Sequence, residues 1–184
     1  MLLNNNYKLH LNVKYKMVKG DKGVLGFALL WKDYEKLIIV EEYLKLVFAF
    51  RKIEETEKFE LPYSSYYITE MGKPLFKKFV ITDKIISKDN IKNIKLKTIS
   101  IEDRFRFGKG RTVNIDPFLI DIDQLIIPTT KYRGNRVYLG NGIYIEMELW
   151  YYNKSFRPFL WTYLDYKEYI PFFNKVRKKY LLKL

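Results

Sequence analysis

Gly140-Asn141-Gly142 joins residues 136–139 to a long alternating run at 143–152, and an Asn-Gly pair supplies the positive φ angles that a type I′ hairpin turn requires. Strands joined this tightly must pair antiparallel. A further turn at Asn153-Lys154 leads into residues 155–159, so this part of the chain predicts a three-stranded meander. Earlier, residues 24–30 form a continuous apolar run ending at Trp31, the pattern of a central strand buried on both faces. Asp33 then suits a helix N-cap, and Tyr34, Leu37, Ile38, Glu41, Leu44, Val47 and Phe48 recur at helical spacing. Residues 53–61 alternate as a second strand, giving a β-α-β start.

Ser64 or Ser65 opens a short helical turn through Tyr66, Tyr67 and Ile68 that Gly72 and Pro74 close, and residues 75–81 read as strand. Helical periodicity through Ile91, Ile94, Ile101 and Phe105 stops at Gly108 and Gly110. Strands are predicted over 111–116 and 124–130, interrupted by Pro117. A C-terminal helix over 168–182 carries Tyr169, Phe172, Phe173, Val176 and Tyr180 on one face, with Pro171 in its first turn. No repeat, linker or low-complexity tract divides the 184 residues. The expected architecture is a single α+β domain over residues 21–184, a largely antiparallel sheet with packed helices, ending in the β-meander and a helix. Residues 1–20 form an N-terminal extension. Strict alternation over residues 7–17 reads as an amphipathic edge strand, or as leader ahead of a start at Met17.

The chain has Cys 0 and His 1, which excludes a disulfide framework, a thiolate zinc site, a cysteine nucleophile and a two-imidazole metal site. Chemistry is left to carboxylates, lysines, arginines and tyrosines. The formal net charge is +13, which draws a protein toward phosphate, yet only 8 of the 34 basic residues are Arg, the residue best suited to bidentate phosphate contacts. No apolar run approaches the ~18–20 residues needed to span a bilayer, and Asn4, Asn5 and Asn6 fall where a signal peptide would build its apolar region. A cytoplasmic protein without a membrane partner is expected.

Three constellations could carry function. Gly108-Lys109-Gly110-Arg111 suits either a phosphate-cradling nest or a helix cap and turn. Lys131, Arg133 and Arg136 cluster beside Tyr132 and Tyr138, a mixture suited to a phosphate, a carboxylate or a stacked base, and equally to a solvated loop. Glu146 and Glu148 alternate to one side of a strand with Tyr144, Trp150 and Tyr152, either as paired carboxylates for Mg²⁺ or proton sharing or as an ordinary sheet face. Asp116, held by Pro117 behind it, caps a turn or meets Arg111 or Arg136 in a site.

Four blocks together resemble an uncharacterised bacterial family, domain of unknown function 4416. They are Leu61-Pro62-Tyr63-Ser64-Ser65-Tyr66-Tyr67-Ile68-Thr69-Glu70-Met71-Gly72; Arg111-Thr112-Val113-Asn114-Ile115-Asp116-Pro117; Thr129-Thr130-Lys131 leading to Arg136-Val137-Tyr138-Leu139-Gly140, Gly142-Ile143-Tyr144 and Glu146; and Trp161-Thr162-Tyr163 with Asp165-Tyr166. The resemblance covers residues 23–180 in unchanged order and implies no established activity. The family pattern has Gly where this chain has Phe118, Asp at Tyr132 and His at Asn135. Some relatives look to be labelled GTP-binding, but this chain contains no Gly-x-x-x-x-Gly-Lys-Ser/Thr loop, and a P-loop GTPase is rejected.

Two functions follow as expectations. One is a binding module for an anionic ligand, nucleotide or RNA, using Lys109, Arg111, Lys131, Arg133 and Arg136 with the aromatic surface of Tyr138, Tyr144 and Trp150. The other is a small carboxylate-based enzyme acting on a phosphorylated or anionic metabolite, with Asp116 and Glu146 as acid and base or as Mg²⁺ ligands. Oligomeric state is left open by the sequence.

Overall fold

The computed structural model describes residues 21–62, 65–108 and 110–183. The strand expected over residues 7–17, Ser64 and Lys109 lie outside the described residues. The elements run β1 (Lys22–Trp31), α1 (Tyr34–Phe48), β2 (Lys52–Glu55), β3 (Phe59–Glu60), α2 (Ser65–Met71), β4 (Phe76–Ser87), α3 (Ile91–Arg104), β5 (Val113–Ile120), β6 (Gln124–Thr129), β7 (Val137–Gly140), β8 (Ile143–Tyr152), β9 (Ser155–Pro158), α4 (Leu164–Glu168) and α5 (Ile170–Lys179). The strands form one antiparallel sheet in the order β2-β4-β1-β5-β6-β8-β7, with β3 added to β4 and β9 to β8. The chain is therefore an α+β domain that begins strand then helix.

β1 lies inside the sheet, which explains its unbroken apolar run. Leu25, Phe27, Leu29 and Trp31 pack beneath α1 and α3, while Val24 and Ala28 face the layer of Tyr166 on α4 and of Phe173 and Val176 on α5. Both faces are covered. Asp33 caps α1 by accepting from the backbone N–H groups of Glu35 and Lys36, so the N-cap expected there forms. Asn141 and Gly142 take φ of 56° and 74° in the β7–β8 turn, as the hairpin requires.

Gly26 is a packing position. A Cβ there would stand 2.2 Å from the Phe118 ring on β5, and Phe118 is fully buried. Gly26→Ala is expected to destabilise the fold by about 1–3 kcal/mol through overpacking, read as a lower urea midpoint at unchanged slope; a variant as stable as the parent would contradict this account.

Several boundaries differ from the sequence reading for local reasons. The strand expected over 53–61 is two short strands on β4, separated at Thr56, whose N–H donates to the Phe79 carbonyl at 3.0 Å and whose Oγ1 accepts from the Phe79 N–H at 3.0 Å. The C-terminal helix expected over 168–182 is α5, Ile170–Lys179, with Pro171 in its first turn, and a separate short helix, α4, precedes it. β5 also runs straight through Pro117, which pairs with Phe27 of β1. On its other side β5 pairs with β6 only through Leu119↔Ile126 and Ile120↔Leu125, so a residue without an N–H loses no ladder bond there.

Candidate functional site

The short β5–β6 ladder opens a wedge in the sheet. Beyond Leu119 the two strands part, and a cleft of 540 Å³ lies between Asn114 and Asp116 on β5 and residues 127–131 at the end of β6. α2 closes it with Tyr66, Tyr67 and Glu70, α3 with Lys95 and Glu102, and α4 with Asp165 and Tyr166. The backbone exposed on β5 is satisfied by α3. Glu102 Oε1 accepts from the Ile115 N–H at 2.5 Å, and Lys95 Nζ donates to the Ile115 carbonyl at 3.3 Å. Two charged side chains thus occupy the bonds that β6 would otherwise make.

From there a polar network runs along one wall. Lys95 Nζ donates to Asp116 Oδ1 at 2.8 Å, and Asn114 Nδ2 donates to Asp116 Oδ2 at 2.7 Å. Arg111 donates to Asn114 at 2.5 Å and forks onto Glu70 at 2.8 and 2.6 Å, with Glu102 at 3.3 Å. Gly110 permits this docking of α2, because a Cβ at that position would stand 2.5 Å from the Glu70 carbonyl oxygen. Lys77 of β4 pairs with Asp165 inside the cleft.

Electrostatics follow the network. Burial pushes the Asp116 carboxyl up, but the Lys95 charge and hydrogen bond, the Lys77 charge and the Asn114 amide outweigh it and hold the group down at about 2. Its side chain is still 30% exposed, toward the cleft. The Arg111 hydrogen bonds hold Glu70 below the usual carboxylate range, whereas burial raises Glu102 despite Lys95. Burial likewise raises the Tyr67 phenol.

Lys131 differs from its neighbours. Lys77, Lys95, Arg106 and Arg111 each have a carboxylate partner, but among the described residues Lys131 has none. Its ammonium rests over the Tyr66 ring at 4.2 Å from the centroid. Burial lowers its pKa, Asp116 opposes the change, and the Arg111, Arg136 and Lys95 charges add to it. The cleft therefore presents an uncompensated cation at its rim.

Of the residues singled out by sequence, the structure brings Arg111, Asp116 and Lys131 into this cleft. Arg111 is spent on Glu70, Glu102 and Asn114. α3 ends at Arg104 with Phe105 as its C-cap, so neither Gly108 nor Gly110 caps it, and Phe107 and Gly110 bridge each other through their backbones. Arg133 is exposed on the loop before β7, outside the lining. Arg136 and Glu146 form a buried pair behind the cleft, at 2.6 Å with side chains 3% and 1% exposed. Arg136 also donates to the Lys131 carbonyl at 2.7 Å and to the Tyr163 hydroxyl at 2.9 Å, and Asn135 donates to Glu146 at 2.7 Å. Asp116 and Glu146 each answer a different cation. Among the described residues no group of three or more His, Cys, Asp or Glu converges to hold a metal ion.

Glu146 and Glu148 share a buried face as expected, but Trp150 and Tyr152 leave it because β8 bulges against β6, with Leu125 opposite Leu149 but Ile126 opposite Met147. The extra residue reverses the facing of the strand beyond it. Glu146 and Glu148 are buried, while Trp150 is exposed and stacks on Tyr152 at 5.0 Å. Tyr144 packs between Tyr132 and Tyr138, and the Tyr138 hydroxyl accepts from the Gly142 N–H at 3.3 Å. Tyr138, Tyr144 and Trp150 do not line the cleft.

Sequence reasoning missed Lys77, Lys95, Glu102 and Asp165. A signal existed for two of them. Ile91, Ile94, Lys95, Thr98, Ile101 and Glu102 are the buried positions of α3, a stripe at helical spacing in which two members are charged. Among the described residues no helix is long and apolar enough to cross a membrane. No curated protein and no solved structure matches the chain. The model of one family, described as a domain of unknown function (DUF4416), matches residues 21–180, a stretch that includes the wedge, its helices and the Arg136–Glu146 pair, and the chain belongs to that family.

Proposed function

We propose that this protein binds a small anionic molecule in the β5–β6 cleft, with Lys131 as the group that meets the anion. The observation that carries this reading is the charge pattern of the lining: among the described residues, Lys77, Lys95, Arg106 and Arg111 each have a carboxylate partner, and Lys131 has none. A ligand phosphate or carboxylate would supply the missing counter-charge next to the Arg111 and Lys95 charges already felt there. The volume of 540 Å³ suits a molecule of metabolite size. An extended nucleic-acid surface draws less support, since Arg111 and Arg136, the forks it would rely on, are held in internal pairs.

The test is calorimetric titration of the full chain with inorganic phosphate and pyrophosphate. Lys131→Met is expected to weaken binding about tenfold or more, the loss of one charge-assisted contact, whereas Lys154→Met at the exposed β8–β9 turn leaves it unchanged. Equal losses in the two variants would point to nonspecific attraction by the net positive charge and would remove Lys131 from the role. Affinity is also expected to fall with rising pH below the ordinary lysine range, following the lowered Lys131 ammonium.

A further inference from the structure

We infer that the molecule taken by the cleft is a small polyhydroxylated anion, a sugar phosphate or sugar acid, and not a nucleotide. This rests on the reading of Lys131 as the anion contact and adds the chemistry of what is attached to the anion.

A nucleobase is commonly held by stacking on an aromatic face. The cleft rings nearest the unpaired cation already have charges on their faces: Lys131 over Tyr66 at 4.2 Å and over Tyr67 at 5.7 Å, and Arg111 over Tyr67 at 5.5 Å. Tyr166, deeper in, is stacked on Phe173 with 10° between the rings and has Lys77 5.2 Å from its centroid. A base entering there would displace cation–π contacts or core packing that the fold uses.

What the lining offers is acceptor oxygen with its charge already balanced. Each carboxylate oxygen has about two acceptor positions. Asp116 uses one oxygen for Lys95 and the other for Asn114, and it remains partly exposed to the cleft. Because it stays ionised, it can accept hydroxyl protons strongly. The Thr129 and Thr130 hydroxyls at the end of β6 lie next in sequence to Lys131 and also line the space. Hydroxyl-accepting oxygens beside one unmatched ammonium recognise a polyol carrying a single anionic group.

The experiment is calorimetry on the full chain with five sets of probes: inorganic phosphate, pentose and hexose phosphates, sugar acids, the corresponding neutral sugars, and AMP. At least one sugar phosphate or sugar acid is expected to bind about tenfold or more tightly than inorganic phosphate, as hydroxyl bonds to a carboxylate allow. AMP, which adds a base to a pentose phosphate, should bind more weakly than the pentose phosphate itself. Asp116→Asn removes an acceptor and a negative charge beside Lys131, so it should shrink the ratio of sugar-anion to phosphate affinity, while Lys131→Met weakens both. If AMP binds tighter than every sugar derivative, or none exceeds phosphate while Lys131→Met still abolishes phosphate binding, the polyol inference is wrong and the anion site stands. If no anion binds the parent protein, both fall. The parent's ranking of probes decides the matter even if the Asp116 variant folds poorly. Phosphate and carboxylate sources are separated by comparing glucose 6-phosphate with gluconate.

Discussion

Arg136→Met is expected to lower the unfolding free energy by about 3–5 kcal/mol, because it leaves Glu146 as a buried charge with its main partner removed. The pair joins the loop before β7 to the centre of β8, at 2.6 Å and almost without exposure. Asn135 alone would remain on Glu146. Arg136 further ties the Lys131 carbonyl and the Tyr163 hydroxyl, so its loss also loosens the segment that presents Lys131. For a chain of this size each kcal/mol moves the melting temperature by roughly 2–4 °C, placing the drop near 10 °C or more. The double variant Arg136→Met with Glu146→Met removes both charges and should recover most of the loss. Thermal and urea unfolding of parent, single and double variants measure this. A single variant within 1 kcal/mol of the parent would show that Glu146 finds compensation elsewhere.

The same contrast between charged residues on the surface and charged residues inside explains what was legible in the sequence. The hairpin at Asn141-Gly142, the two-sided burial of β1 and the Asp33 cap are local facts, each set by a few adjacent residues, and the folded chain shows them as read. The cleft is not local. Arg111 meets Glu70 across 41 positions, Lys77 meets Asp165 across 88, and neither separation leaves a mark in a linear pattern. Lys95 and Glu102 were hidden for a different reason. They sit on the inward stripe of α3, and a pattern reading treats a charge there as a break in the stripe. Here the charges are inward because β6 parts from β5 and leaves the Ile115 backbone to be bonded from the helix. Pro117 is the one sequence mark of that parting: it looked like an end to the strand, but the ladder lost at that point is only the one facing β6. A proline inside a strand, preceded by a charged pair on the inner stripe of the neighbouring helix, is therefore a readable sign of a split sheet.

Glu148→Gln is expected to stabilise the protein at neutral pH. Glu148 is fully buried at the β8 bulge. One carboxyl oxygen accepts from the Tyr163 N–H at 3.0 Å and the other has no partner among the described residues. Burial pushes the group up to about 8, the Tyr163 N–H and the Arg136 charge opposing and the Glu146 and Asp165 charges reinforcing. The sign of the linkage follows. Below about pH 4.5 the carboxyl is protonated in both folded and unfolded chains, and it exerts no pH dependence. Between 4.5 and 8 the unfolded chain releases this proton while the folded chain keeps it, so stability falls as pH rises, by about 1.4 kcal/mol per pH unit. Above 8 both forms are ionised and the loss levels off. At pH 7, about 2.5 pH units above the unfolded value, the accumulated penalty is about 3 kcal/mol. Glutamine keeps the acceptor for Tyr163 and places its amide where the carboxylic proton stood, but it releases no proton on unfolding. The variant should therefore gain about 3 kcal/mol at pH 7, a rise of roughly 6–12 °C in melting temperature, and the gain should shrink toward zero near pH 4.5 and reach its maximum above pH 8. Urea midpoints of parent and variant at pH 5, 7 and 8.5 give the three points needed. A difference that stays constant across them, or a variant less stable than the parent at pH 7, would mean that Glu148 is ionised in the folded protein and that its second oxygen has found a donor.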